Sequence, residues 1–320
     1  MTDGNPFGEE GTWLRAALHT HSIRSDGQLE PSALVAHYEW MGFDVCAITD
    51  HWTLTSEPST EHCLVITGAE LAADPGTGMD NDVEILAIGI DDIPEDPGGN
   101  RASWGPIEAY VYKTFPDLSS AARSIAGQGG VAFIAHPYWS GMPHEVLLET
   151  EGAVGLEVYN ASSEREDGRG DSSYVWDLAL ERGKRLWGFA TDDCHYPGFD
   201  LGDAWTMVRA AERSEAAVLD ALRRGHTYAS NGPQIHGVEV DGDALEIRCS
   251  PARTINLMSR REHGWGVGAG HRGMQLDARI LERDDHGLVV RARFTPPAGL
   301  PYRRLVIADE RGRKAWTNPL

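Results

Sequence analysis

Short apolar runs recur through the first 195 residues, and most of them end on a histidine, an aspartate or a glutamate. Leu14–Leu18 runs into His19-Thr20-His21, Asp44–Thr49 into Asp50-His51, and Cys63–Thr67 into Gly68-Ala69-Glu70. Val131–Ala135 precedes His136-Pro137, and Leu186–Ala190 precedes Thr191-Asp192-Asp193-Cys194-His195. Val83–Ile90 and Val154–Val158 are further strand-like runs. Segments with helical spacing lie between them: Pro31–Met41, Asp117–Gly129, Ser172–Arg182 and Ser214–Arg224. Strand alternating with helix predicts a parallel α/β barrel or sheet. In a parallel barrel the C-terminal ends of the strands meet at one mouth, so scattered polar residues become one cluster.

The pattern changes after Gly232-Pro233. Gly237–Val240, Ala244–Cys249, Thr254–Met258, Leu288–Phe294 and Leu305–Ala308 are short, alternating and bounded by turns, which predicts an all-β accessory domain over residues 233–320. Charge divides at the same place. Residues 1–232 carry 14 Lys/Arg against 38 Asp/Glu, whereas residues 233–320 carry 14 against 11. The first part, read as one domain over residues 1–232, therefore holds all of the acidity behind the net charge of -21. A surface this acidic repels phosphate backbones, so no nucleic-acid partner is expected. Most of these carboxylates are read as a solvated surface, and some as facing bound cations. Cys46, Cys63, Cys194 and Cys249 form no C-x-x-C pair and no disulfide framework, which predicts a reducing cytoplasm. No basic apolar leader and no membrane-spanning run is present in the sequence, so no membrane association is expected. The Gly/Pro/Asp-rich span Asp91–Gly105 reads as a long exposed loop.

Imidazole and carboxylate together suit Zn, Mn or Fe, including adjacent ions that share a carboxylate. In His19-x-His21 and Asp193-x-His195 the two-residue period of a strand turns both side chains to one face. A lone H-x-H says little. The conjunction of such residues at successive strand ends says much more.

The motifs His19-Thr20-His21, Ser25-Asp26-Gly27, Thr49-Asp50-His51, Gly68-Ala69-Glu70, His136-Pro137 and Asp193-Cys194-His195 resemble, in order and spacing, the polymerase-and-histidinol-phosphatase (PHP) superfamily. The resemblance covers roughly the first 200 residues. It implies a distorted (β/α)7, TIM-like barrel with two or three divalent metal ions. Two later stretches, Thr227–Pro233 and Ala315–Pro319, are similar to the branch that includes carbaryl hydrolase, in which a β-rich tail follows the barrel. Carried over by position, His19, His21 and Asp193 would hold one ion, with Glu70 bridging to a neighbour. Asp26, His51 and His195 would hold another, and His136 would belong to the ion that shares Glu70. Glu84 stands where many relatives have a histidine. Either it substitutes as a ligand or that ion is weak or absent.

A metal-bound water would be the nucleophile, and the ions would stabilise the developing oxyanion. Asp193 and His195 are candidates to shuttle a proton while ligating, and Asp50 to orient a ligand. Arg24 is the first candidate for phosphate contact, ahead of Arg165 and Arg169. Glu157, Tyr159 and Asn160 end a strand at the same mouth and are read either as pocket lining or as structural. Trp52, Trp139 and Trp187 are read as core or as an apolar wall, and Cys194 as a small buried filler. The other histidines (His37 on a helix, His62 and His144 in loops, His226 starting a strand, and His263, His271 and His286 in the tail) receive no role.

The leading expectation is a metallo-phosphoesterase acting on a small phosphorylated metabolite. A carbamate or carboxylic-ester hydrolase with the same ions is the second reading, and a metal-bound binding protein without turnover is the third. Natural substrate, metal identity and oligomeric state are not legible in the sequence.

Overall fold

The computed structural model describes residues 5–76, 83–94, 99–102, 111–260, 265–268 and 278–320. The strand-like runs become β1 (Thr12–Ala17), β2 (Val45–Ile48), β3 (Leu64–Ala73) and β4 (Val83–Ile88). They are followed by β5 (Gly99–Ala102), β6 (Val111–Phe115), β7 (Val131–Ile134), β8 (Gly155–Asn160) and β9 (Trp187–Thr191). β2 and β7 are buried at every position, as expected of apolar runs covered on both faces. The intervening helices are α1 (Pro31–Trp40), α2 (Leu118–Gly127), α3 (His144–Glu149), α4 (Ala161–Asp167), α5 (Ser173–Glu181) and, after β10 (Trp205–Ala210), α6 (Glu215–Arg224). Their ends follow local chemistry. The Asp117 side chain accepts from the Ser120 N–H at the start of α2, and Ser214 accepts from the Ala217 N–H at the start of α6. Gly225, at φ 68°, ends α6, and a Cβ there would also meet the Trp187 ring.

β1, β2 and β3 pair in parallel, as do β7, β8 and β9. The sheet is nevertheless mixed. β4 runs antiparallel to both β3 and β7, and β10 runs antiparallel to β1. This corrects the expectation of a wholly parallel alternation. The segment between Ala73 and Val83 is too short for the crossover that a parallel return needs, so β4 must reverse. At the far end of the path β9 comes back against β10. The Ala190 N–H donates to Thr206 Oγ1 (3.1 Å), which donates to the Ala190 carbonyl (2.9 Å). Two large apolar clusters fill the fold. Leu14, Ile66, Phe133, Phe189 and Leu222 belong to one, and Ile85, Ile125, Ile134, Trp176 and Trp316 to the other.

Part of the loop expected over Asp91–Gly105 is strand: β5 pairs with β6, which in turn pairs with β3. The remainder of that span at 95–98 and 103–105 lies outside the described residues, as do His263 and His271. His144, expected in a loop, begins α3.

After α6 the described elements are all strands: β11 (Thr227–Ser230), β12 (Ile235–Asp241), β13 (Ala244–Ala252), β14 (Thr254–Met258), β15 (Trp265–Gly268), β16 (Ala278–Arg283), β17 (Val289–Phe294), β18 (Arg304–Ala308) and β19 (Lys314–Thr317). β12, β13, β17 and β16 form a second sheet. The others extend the first sheet through β11–β19 pairing, so backbone hydrogen bonding continues past Gly232-Pro233. Contacts with α5 help fasten this part to the helices. Fully buried Arg304 donates twice to Asp177 on α5 (2.7 Å each), and the Trp316 indole donates to Ser173.

Candidate metal centre

Six strands running in one direction deliver their C-terminal ends to one place. His19 and His21 follow β1, Asp50 and His51 follow β2, His136 follows β7, and Asp193 and His195 follow β9. Glu70 lies within β3, which runs on past it to Ala73, and Glu157 within β8. Reversed β4 presents its start at the same end, which brings Glu84, its second residue, to the cluster. The ends are laced together by main-chain bonds. The Asp193 N–H donates to the His19 carbonyl (3.1 Å), and the His21 N–H donates to the Cys194 carbonyl (2.9 Å). The H-x-H and D-x-H motifs are thereby set side by side.

All nine ligand candidates converge: His19, His21, Asp26, His51, Glu70, Glu84, His136, Asp193 and His195. The shortest separations centre on His19 Nε2 and His21 Nε2, each of which faces both Glu70 Oε2 and Asp193 Oδ1. His19 Nε2 stands 3.1 Å from His21 Nε2, 3.1 Å from Glu70 Oε2 and 3.0 Å from Asp193 Oδ1. His21 Nε2 stands 3.2 Å from both carboxylate oxygens. Ligands about 2.1 Å from a common ion lie about 3.0 to 3.4 Å from one another, and each of these separations falls in that range. Hydrogen bonding explains the arrangement poorly, because buried Asp193 Oδ1 has no hydrogen-bond partner. The donor set fits a divalent cation.

Two further groups adjoin the first. Glu70 Oε1 lies 3.0 Å from His136 Nε2, while Glu84 approaches His136 Nε2 (3.6 Å) and His51 Nδ1 (3.7 Å). Glu70 thus faces two groups at once, as a bridging carboxylate does. Asp26 Oδ2 lies 3.5 Å from both His51 Nε2 and His195 Nε2. Asp26 also approaches His21 Nδ1 (3.4 Å), in the position of the fourth member of that group.

Three imidazoles are oriented from behind. His19 Nδ1–H donates to Glu157 Oε1 (2.8 Å), and His195 Nδ1–H donates to the Asp193 carbonyl (2.9 Å). Ser140 Oγ donates to the His136 carbonyl and accepts from His136 Nδ1–H (3.0 Å). In each case the Nε2 lone pair is left for the centre. Glu157 is fully buried, and its other oxygen accepts from the His136 N–H (2.8 Å) and from Asn160 Nδ2 (2.9 Å). Asn160 Nδ2 also donates to Asp193 Oδ2 (3.0 Å). Glu157 and Asn160, read from sequence as pocket lining or structure, hold ligands in place. Asp50 orients as expected, but it holds a loop rather than an imidazole. It accepts from Ser22 (N–H and Oγ), Ser25 and Thr55 and so fixes the turn that carries Asp26.

Backbone strain collects here too. Trp52, His136 and Asp193 are the non-glycine residues with positive φ among those described, and two of them are ligand candidates.

The charges respond to one another. Burial alone would raise the carboxyls of Asp26, Glu70 and Asp193, yet the adjoining imidazoles hold all three well below the usual carboxylate range. Burial opposes charge on the imidazoles, but the carboxylates outweigh it. Glu70 and Asp26 push His51 up to about 9, Glu70 and Glu84 push His136 up to about 9, and Asp193 and Asp26 push His195 up to about 10. Burial and the charge of Glu70 push Glu84 up to about 7. The carboxylates thus favour positive charge on the residues around them.

Arg24 is exposed and lines a cleft of about 400 Å³ with Glu30, Thr53, Leu54 and Glu57, which contains none of the cluster. Arg165 pairs with Asp203 over the Phe199 ring. Trp139 stands edge-on to His136 (5.0 Å between centroids), Trp52 stacks on Phe115, and Trp187 donates to the Arg223 carbonyl. Cys194 is buried, and its thiol is pushed up by burial and by Asp192, which fits an unreactive filler.

No family model matches the chain, and no curated protein matches it. Among solved structures, a two-domain protein from Bacteroides vulgatus containing a predicted PHP-like metal-dependent phosphoesterase aligns with a TM-score of 0.51 at 19% identity, over 100% of this chain and 97% of that one. A putative metal-dependent phosphoesterase from Bifidobacterium adolescentis (TM-score 0.44, 18% identity, 68% of this chain and 98% of that one) and an amidohydrolase from Chromobacterium violaceum (0.41, 20%, 58% and 89%) are more distant in shape. These comparisons do not reach the carbaryl hydrolase branch. What the first shows is the fold: this chain shares the mixed α/β architecture of that two-domain protein.

Proposed function

We propose that the chain is a metal-dependent hydrolase, and that its substrate is a small phosphate ester. The observation that carries this is the approach of Glu70 and Asp193 to both His19 Nε2 and His21 Nε2, with adjoining groups that bring in His136, Glu84, His51, Asp26 and His195. Divalent ions held there would bring water to a reactive pKa near neutrality and stabilise negative charge on the ester oxygen. Asn160 fixes Asp193 so that one oxygen faces the centre, where it can take a proton from the attacking water. Charge favours phosphate. Three divalent ions would exceed the four ligand carboxylates, Asp26, Glu70, Glu84 and Asp193, by two positive charges. A phosphate dianion matches that excess without help from Arg24 or any other basic side chain.

In the same reading the sheet curls into a distorted barrel, residues 233–320 act as an accessory β-domain, and Glu84 completes a third ion site. Metal-loaded protein should hydrolyse p-nitrophenyl phosphate or bis-p-nitrophenyl phosphate faster than p-nitrophenyl acetate. Elemental analysis should find three equivalents per chain, falling to two in Glu84→Gln. Faster turnover of the acetate would favour the carboxylic-ester or carbamate reading, which exposed Trp139, Tyr138, Tyr196 and Phe199 support. Metal binding without turnover of any ester would leave a binding protein.

A further inference from the structure

Ester cleavage needs a proton for the leaving oxygen as well as a nucleophile, and the residues described so far supply only the second. Among the described residues, the ligand carboxylates face the centre itself. Glu157 and Asp50 are fully buried, and both oxygens of each already accept hydrogen bonds. Asp200 is buried beneath the N–H groups of His195 and Tyr196. On the exposed side, among the described residues, Glu166 is linked to the centre through Trp139. Glu166 lies in the last turn of α4, the short helix that starts at Asn160, beside the centre. Its Oε2 accepts from the Trp139 indole N–H (3.1 Å), and that indole stands against the His136 imidazole.

We propose that Glu166 is the general acid that protonates the leaving group, and that Trp139 is the residue that positions it. This rests on the hydrolase reading above. In the step, the attacking water forms a new bond to phosphorus (or acyl carbon) and gives up a proton. The bond to the leaving oxygen breaks with its electron pair staying on oxygen, and that oxygen takes the Glu166 proton. The water's proton passes to Asp193 and from there to solvent, and Glu166 regains one from solvent, so the sum is ester plus water giving alcohol plus acid. The electrostatics agree with the role. Partial burial raises the Glu166 carboxyl above its ordinary value, against the hydrogen bond from Trp139, which lowers it.

The test compares leaving groups. A p-nitrophenolate departs without help, whereas an alkoxide does not. Wild type, Glu166→Gln and Trp139→Phe, each confirmed to hold the same metal equivalents, are assayed on p-nitrophenyl phosphate and ethyl phosphate, or on the corresponding acetates. Glu166→Gln should lose about 10²-fold or more on the ethyl ester, and at least ten-fold less than that on the p-nitrophenyl ester. It should also lose the fall in ethyl-ester kcat that wild type shows as pH rises through the Glu166 pKa. Trp139→Phe should move both readouts in the same direction by a smaller factor. Equal losses on both esters, or no loss on the ethyl ester, would overturn the assignment. A metal-loaded wild type inactive on every ester would remove the hydrolase reading instead, and the acid with it.

Discussion

Glu157 binds His136 at its backbone and His19 at its imidazole: one oxygen accepts from the His136 N–H, the other from His19 Nδ1–H, each at 2.8 Å. One fully buried carboxylate therefore sets the main chain at the end of β7 and the ring after β1. Glu157→Gln keeps the shape but replaces one acceptor oxygen with a donor NH2, which cannot face both N–H groups. Metal affinity should fall about 10- to 100-fold, the range found when the partner of a ligand imidazole is lost. Competitive chelator titration measures it. Unchanged affinity would mean that Glu157 is only filling space.

The imidazoles raised to about 9 and about 10 make metal binding a proton exchange. In metal-free protein these groups have folded pKa values above their unfolded value of about 6.5, so the stability they add is complete below that pH. It is lost as pH rises through 9 and 10. The midpoint temperature of metal-free protein should accordingly drop between about pH 6.5 and pH 10. Cations displace the same protons, so adding metal at pH 7.5 should acidify a weakly buffered solution, and apparent affinity should rise with pH across this window. Calorimetry in buffers of different ionisation enthalpy counts the protons. A count of zero would contradict the charge balance described for the centre.

Much of this centre was legible because its ligands follow apolar runs, and a run buried on both faces marks a strand whichever fold it joins. His19, His21, His51, His136, Asp193 and His195 carry that signal directly. Direction is not part of it. The run Val83–Ile88 reads the same forwards or backwards, so the reversal of β4, which is what lets Glu84 reach the cluster, came from the length of its connection. Glu157 and Asn160 sit inside β8 with no motif around them, and their roles depend on partners 138 and 33 residues away in sequence. The joining of β19 to β11 is equally non-local, so a change of composition at Gly232 could not show that hydrogen bonding crosses it.

Arg304 and Asp177 anchor β18 to α5 by two hydrogen bonds with Arg304 wholly buried. Asp177→Ala strands a buried guanidinium, and loss of one partner of such a pair costs about 3 to 5 kcal/mol. Urea denaturation should show that loss while metal equivalents of the folded protein stay at the wild-type value. Arg304→Met together with Asp177→Leu removes both charges and should recover most of it. If the single variant unfolded at the wild-type midpoint, the pair would not be holding the β-rich part in place.

Gly27 is required by a close approach rather than by an unusual dihedral. A Cβ at this position would stand 2.2 Å from the His21 carbonyl oxygen and 2.4 Å from its carbon, both backbone atoms that cannot swing aside. Ser22 holds the same turn shut, since its carbonyl accepts from the N–H groups of Ser25 and Gly27. Gly27→Ala must therefore open the turn at the cost of about 1 to 3 kcal/mol, the usual range for forced overpacking. Opening it carries Asp26 away from His51 and His195, while Glu70 lies within β3, His19 follows β1 and Asp193 follows β9. The variant should lose the ion held by Asp26 and keep the one held by His19, which elemental analysis would read as one equivalent fewer per chain. Loss of every equivalent would instead mean that His21 had moved with the turn, and retention of all of them would mean that the backbone yields more easily than its contacts imply.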